Sequence, residues 1–152
     1  MSLADNIIIL NEGKQLGPAK PRDLYENPPD TFVARFLGNP GMNLLKATVT
    51  DDSDTILIGD SITHKIARKL SAQSAIIYGF RPEHCVPSTD GDIPVEVTGV
   101  EDSGKEYILK LKGPDGSLIY CLSAKAYNSG DKFMIKVNTE HFFDSQTKAL
   151  IS

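Results

Sequence analysis

The spacing of apolar residues along this chain changes period once. In the stretch Thr31 to Leu45, TFVARFLGNPGMNLL, Phe32, Val33, Phe36 and Leu37 repeat at the i, i+1, i+4, i+5 spacing of one helical face, and Pro28, Pro29 and Asp30 stand where a helix start is expected. Gly38, Asn39, Pro40 and Gly41 then end the helix, because Gly tolerates a left-handed cap and Pro cannot extend the hydrogen-bond ladder. The stretch is therefore predicted to be a seam. One hairpin and two short helices precede it, and a long succession of short strands separated by turn signals follows.

The first element is predicted to be a strand. Ile7 to Leu10 is a continuous apolar run that suits burial on both faces, and Asn11-Glu12-Gly13 makes a three-residue turn into a short arm at Gln15-Leu16. Such a strand needs neighbours that this chain does not supply, so its edge is expected to belong to a sheet lying mostly elsewhere. Pro21 suits the first position of a helix carrying Leu24 and Tyr25, which ends at Asn27-Pro28-Pro29. Beyond the seam, strands are expected at Ala47 to Thr50, Thr55 to Ile58, Ser61 to Ile66, Ala75 to Phe80, Ile93 to Val100, Glu106 to Lys112, Ser117 to Leu122, Lys132 to Val137 and Ala149 to Ile151. Ala67 to Ala72 is polar and reads as a helical turn. About nine short strands at this spacing predict a small barrel or sandwich.

Composition narrows the class without changing that picture. A chain of 152 residues suits one main domain plus a partial one, with 40% hydrophobic and 24% charged residues and a formal net charge of -4. Nothing in that balance points to a polyanionic partner. No apolar run approaches the roughly 18 to 20 residues that span a bilayer, and MSLADN lacks the basic and apolar regions of a secretory signal, so a soluble cytoplasmic protein is expected. Cys85 and Cys121 match no metal-ligand spacing and read as reduced core residues.

Candidate chemistry is sparse. The chain has no G-x-x-x-x-G-K-[ST], G-x-G-x-x-G or H-E-x-x-H, so no phosphate-cradling loop or zinc-hydrolase helix is encoded, and it is not expected to hydrolyse ATP alone. His64, His84 and His141 are widely separated and read as satisfied surface residues, and no metal is expected. Asp51, Asp52 and Asp54 lack the spacing of a calcium loop and read as a solvated turn. Ser103 and Ser123 have no nucleophile context.

At the seam and beyond, a set of short motifs carries a resemblance. Leu3-Ala4-Asp5, Leu10-Asn11-Glu12-Gly13-Lys14, Pro21 with Leu24-Tyr25-Glu26-Asn27-Pro28, Phe32-Val33-Ala34-Arg35-Phe36-Leu37-Gly38 and Met42-Asn43-Leu44-Leu45 are followed by three more. These are Gly79-Phe80-Arg81-Pro82-Glu83-His84, Gly104-Lys105-Glu106-Tyr107 and Phe143-Asp144-Ser145-Gln146-Thr147. In order and spacing the chain resembles the C-terminal part of the ATP-binding subunit of maltose-type (sugar-type) ABC importers. That resemblance implies a mainly β fold: an OB-like β-barrel, the TOBE domain, at 41–152, preceded at 1–40 by the last hairpin and two short helices of a nucleotide-binding domain. Two departures stand out. Ala19-Lys20 replaces a Gly-Thr that would offer a side-chain N-cap, worth about 0.5–2 kcal/mol, and Lys148 follows Thr147 where the family often has Gly.

The resemblance also implies a function. The fragment is expected to be non-catalytic, with ATP and magnesium bound in the upstream part that would carry the Walker and signature motifs. Its role would be regulatory and dimer-stabilising, with a second copy of the subunit, the transporter's membrane subunits, and a regulatory protein or small solute as partners, at the inner face of the cell membrane. Arg81, Pro82, Glu83, Gly104 and Glu106 are the regulatory or interface candidates, and Phe32, Val33, Phe36, Met42 and Asn43 the interdomain packing candidates. The plainer reading of Arg81 and Glu83 is local ion pairing at a strand end, worth about 0–1 kcal/mol. A small-solute or oxyanion-sensing barrel is the alternative function. A single-strand-binding OB fold is disfavoured by the net charge of -4 and the 7% aromatic content.

Overall fold

The hairpin forms, with a tighter turn and a more exposed strand than expected. In the computed structural model, which describes residues 5–152, strand β1 (Ile7–Asn11) pairs antiparallel with β2 (Lys14–Ala19). Met1, Leu3 and Ala4 lie outside the described residues. Asn11 faces Lys14, so the connection is the two-residue Glu12-Gly13, both at positive φ (50° and 75°), which matches the twist of paired strands. Ile9 is 5% exposed but Ile8 and Leu10 are 55% and 70% exposed, so β1 buries one face rather than two. The cause is its surroundings: the buried partners of Ile9 are Leu24 and Val33 of the two helices that follow, with Leu16 and Ala19 of β2 half-buried against them.

Those helices are short and differently capped. Helix α1 (Pro21–Glu26) starts at Pro21 with Lys20 in the N-cap position and no side-chain cap, as Ala19-Lys20 implied. Helix α2 (Thr31–Phe36) starts properly, because the Asp30 carboxylate accepts from the Val33 N–H at 2.9 Å. The buried side of α2 is Val33 and Ala34, at 1% and 0% exposure. Phe32 and Phe36 stack on one another, centroids 5.7 Å apart, on the outer side, 37% and 60% exposed.

After the seam come ten strands. They are β3 (Asn43–Val49), β4 (Thr55–Ile58), β5 (Ile62–Lys65), β6 (Ala75–Phe80), β7 (Cys85–Pro87), β8 (Ile93–Asp102), β9 (Tyr107–Lys112), β10 (Leu118–Ser123), β11 (Lys132–Val137) and β12 (His141–Asp144), with a 3₁₀ turn at Pro82–His84. One five-stranded sheet has the order β10-β9-β8-β11-β7 and the other β12-β6-β3-β4-β5. The mainly β, barrel-like fold is the expected one. Strands β7 and β12 were not foreseen: the three residues Cys85–Pro87 are too few to show a period of two, and His141–Asp144 buries two adjacent phenylalanines, Phe142 and Phe143, rather than alternate positions. Ala149 to Ile151 is not a strand; it makes only single bridges, Asp30 to Ala149 and Phe143 to Leu150. Ala67 to Ala72 holds no helix.

The first sheet rolls up on itself. Its two edge strands are β10 and β7, and they meet through Cys121 and Cys85, both fully buried, paired as a disulfide with a Cα–Cα distance of 5.6 Å. The expectation of reduced core thiols is thus corrected; the 36-residue separation gave no sign that opposite edges of one sheet would be adjacent. Asn43, at the start of β3, then ties the second sheet to the first: its side-chain N–H donates to the Tyr120 carbonyl at 2.8 Å and its carbonyl accepts from the Tyr120 N–H at 2.8 Å. Between the sheets lies one core, in which Val49, Ile56 and Ile58 meet Ile93, Val97, Leu109 and Leu111, all 2% exposed or less.

Where the chain passes from α2 to β3 the backbone runs very close to the helix. A Cβ on Gly41 would collide with the Arg35 carbonyl, which is backbone and cannot swing aside. Gly41→Ala is expected to lower the urea midpoint of unfolding by an amount equivalent to about 1–3 kcal/mol, with an unchanged denaturant slope.

Candidate functional site

The residue that joins the helices to the barrel is Arg81. It leaves the end of β6, is 1% exposed, and points into the angle between α1 and α2. Its Nη1 donates to the Ala34 carbonyl at 2.8 Å and the Leu37 carbonyl at 2.6 Å, and its Nη2 to the Tyr25 carbonyl at 2.9 Å. Those acceptors belong to the last turns of both helices. Helix ends leave carbonyls unpaired and carry the negative end of the helix dipole, so a guanidinium is the natural cap, and a planar fork can reach three oxygens at once.

Neighbouring residues complete the joint. The guanidinium lies over the Tyr25 ring, 3.9 Å from its centroid, and the Tyr25 hydroxyl donates to the Glu83 carboxylate. Burial and that carboxylate together push the Tyr25 hydroxyl up to about 12, so it remains a donor at any physiological pH. Burial lowers Arg81 from its ordinary value, against the opposing pull of Tyr25 and Glu83. From β12, His141 Nε2 faces the Glu26 carbonyl at 2.8 Å, giving α1 a second cap from the barrel side. A carbonyl can only accept, so Nε2 carries the proton and buried Nδ1 has no partner. Burial accordingly holds His141 below the ordinary histidine value.

The structure brings some of the expected site residues together and leaves others apart. Arg81, Pro82 and Glu83 are contiguous at the joint: Pro82 is buried at the start of the 3₁₀ turn and Glu83 is exposed with Tyr25 as its partner. Local ion pairing does not describe Arg81, whose partners are main-chain carbonyls 44 to 56 residues away. Val33, Met42 and Asn43 are buried, Val33 with Ile9 and Leu24, Met42 in a small cluster with Ala34 and Phe143, and Asn43 against the Tyr120 backbone. Phe32 and Phe36 face outward instead. Gly104 and Glu106 lie in the exposed β8–β9 turn, whose hydrogen bonds to Asp102 and Ser103 are internal to it.

Sequence reasoning missed Tyr25 and His141 as parts of this joint. It also placed His64 at the surface, whereas His64 is 7% exposed and contacts Asp92 and Tyr78. Beside the joint a cleft of about 310 Å³ opens between Arg35, Gly41 and Leu44 on one side and Ser117, Leu118 and Tyr120 on the other. No helix among the described residues is long and apolar enough to cross a membrane.

Comparison with known proteins bears on this region directly. Residues 38–85, which contain β3 to β6 and Arg81, match the family model described as the MalK OB fold domain. The chain is similar to the sn-glycerol-3-phosphate import ATP-binding protein UgpC of Ruegeria pomeroyi, at 34% identity over 97% of this chain and 42% of that protein. It is also similar to the uncharacterized ABC transporter ATP-binding protein YurJ of Bacillus subtilis, at 31% identity over 99% of this chain and 46% of that protein. A putative ABC transporter ATP-binding protein of Mycoplasma genitalium, MG187, matches at 31% identity over 99% of this chain and 26% of that protein. The chain thus spans less than half the length of these relatives.

Removing the guanidinium takes the donor from the Tyr25 and Leu37 carbonyls and leaves the Ala34 carbonyl with the Met42 N–H alone. Arg81→Met is expected to destabilise the chain by on the order of 3 kcal/mol, and Arg81→Lys to recover only part of the loss because an ammonium cannot span all three acceptors. Denaturant titration checks the magnitude, and amide exchange in α2 checks that the loss starts at the helices.

Proposed function

We propose, from the premise that this chain is a homologue of ABC-transporter ATP-binding proteins and carries their MalK-type OB fold, that it forms the regulatory and dimer-stabilising end of an ABC importer's ATP-binding subunit. The observation that carries the reading is the Arg81 joint. By gripping the terminal carbonyls of both helices, Arg81 makes the helices and the barrel one mechanical unit. A bias applied to the barrel, by a second copy or by a bound regulator, then reaches the helices without being lost in a flexible linker. ATP and magnesium would act in the remainder of the longer subunit, and membrane subunits would be its other partners; this chain would contribute positioning and no bond-breaking step.

The reading is tested in the longer subunit. Deleting residues 41–152 is expected to weaken self-association of the nucleotide-free subunit, measured by sedimentation velocity, and to abolish regulation of its ATPase rate. Transport, ATPase rate and self-association all unchanged by the deletion would overturn the proposal. Arg81→Met in the same subunit is expected to keep the barrel folded while lowering the response of the ATPase to regulation.

The cleft between Arg35 and Tyr120 gives solute sensing a place to act, since it opens directly beside the joint. Calorimetric titration of the chain with small oxyanions and sugars tests that second reading, and saturable heat that disappears in Arg35→Ala is the result expected of it.

A further inference from the structure

The second sheet is closed by different means from the first. Its edge strands are β5 and β12, and no disulfide joins them. Instead His64 of β5 reaches a group of polar side chains drawn from three other segments. His64 Nδ1 lies 2.6 Å from Asp92 Oδ1, on the β7–β8 connection of the other sheet. Its Nε2 lies 2.9 Å from the hydroxyl of Tyr78 on β6 and 3.5 Å from Oε1 of Glu140, the residue just before β12. The Tyr78 hydroxyl donates to Glu140 Oε1 at 2.7 Å, and Glu140 Oε2 accepts from the Ala67 N–H, just after β5, at 2.9 Å.

Counting protons fixes the charge state this arrangement requires. Tyr78 has one hydroxyl proton and spends it on Glu140, so towards His64 it can only accept, and Nε2 must carry a hydrogen. Asp92 is a carboxylate and can also only accept, so Nδ1 must carry one too. Both ring nitrogens are therefore donors: the geometry is that of an imidazolium between two carboxylates. A neutral ring breaks it in either tautomer. With the proton on Nε2, the Nδ1 lone pair faces the Asp92 carboxylate at 2.6 Å; with the proton on Nδ1, Tyr78 must turn its hydroxyl away from Glu140.

We infer that His64 is a proton-operated latch, which when charged holds edge strand β5 to Glu140 at the head of β12 and to the Asp92 connection of the other sheet, and which releases them when it loses its proton. The groups facing the ring are Tyr78, Asp92 and Glu140. Cations on the adjoining segments are engaged elsewhere: Lys65 is exposed, Arg68 lies over the Phe142 ring and donates to the carbonyls of Ile151 and Ser152, and His141 faces the Glu26 carbonyl. Asp92, whose side chain is 42% exposed against 15% for Glu140, is the member free to leave first, and it takes the β7–β8 connection with it.

The electrostatics agree in direction. Burial pulls His64 down, but Glu140 and Asp92 outweigh it and hold it above the ordinary 6.5. Its contribution is complete below that value and is lost as the pH rises through the raised one. Burial would raise Glu140, but His64, the Ala67 N–H and Tyr78 hold it below its ordinary 4.5, so its contribution is present above that value and is lost on further acidification. The latch is thus firmest between about 4.5 and 6.5. His141 acts in the opposite sense, favouring the folded state less as the pH falls below 6.5, so whole-molecule melting curves mix the two and a residue-resolved readout is needed.

The experiment is an NMR titration of the histidine imidazoles of the chain, paired with amide exchange at pH 6 and pH 8 corrected for intrinsic rates. His64 is expected to titrate above 6.5, and amides in β5 and residues 88–92 to be several-fold less protected at pH 8 than at pH 6. Asp92→Asn, a change at the surface that leaves the core packing in place, is expected to lower the His64 titration and to remove the pH dependence of protection in residues 88–92. His64 titrating at or below 6.5, Asp92→Asn leaving that titration unmoved, or protection equal at the two pH values would each overturn the inference.

Discussion

A guanidinium removed from water must find acceptors for most of its donors or the chain will not bury it, and this requirement, met at both Nη atoms and not at Nε, organises the molecule around Arg81. The acceptors it finds are the carbonyls of Tyr25, Ala34 and Leu37. Helix ends are where carbonyls are left over, so the arginine and the two short helices solve each other's problem. Six-residue helices are marginal by themselves, since nucleation is costly and each has little more than one turn to recover it. They persist here because their far ends are capped from the barrel. The close approach of Gly41 to Arg35 follows from the same demand, as the chain must leave α2 without lifting it off the guanidinium.

The barrel is sealed three times, each time by side chains rather than by a continuous backbone ladder. Cys85 and Cys121 join the edges of the first sheet, Asn43 imitates a strand residue to join the sheets at Tyr120, and the His64 group joins the edges of the second. The seals differ in what loosens them: a reductant for the first, competition from water for the second, loss of a proton for the third. Unpaired strand edges are a route to self-association, and these seals leave β1 and β2 as the most open ribbon of the molecule.

Much of this was legible in the sequence, and the misses have physical causes. Strands β3 to β6 and β8 to β11 were anticipated, because alternation such as Tyr107, Leu109 and Leu111 is enforced by a buried face. The seam was legible too, since Gly38 to Gly41 permits only a break. The burial of Val33 and Ala34 in place of Phe32 and Phe36 was not, because a six-residue helix carries too few turns for its apolar positions to decide its orientation. The site divides in the same way. Arg81-Pro82-Glu83 was marked by resemblance, but that its partners are backbone carbonyls leaves no trace in the identity of those residues. His64, Asp92 and Glu140 are brought together only by strand order, and strand order is a property of the whole chain. Lys148 holds a φ of 66° without glycine, so the residue type there does not by itself report the backbone conformation.

The Arg81 joint has one consequence for how this region can drift over generations. On the barrel side its hydrogen bonds come from two side chains, Arg81 and His141, whereas on the helix side they end on main-chain oxygens, which every amino acid provides. Substitutions in α1 and α2 that keep the helical path leave those oxygens where they are, so the helices can be rewritten to suit whatever lies against their outer faces. The fastening is asymmetric: two fixed letters on one side, and a script freer to vary on the other.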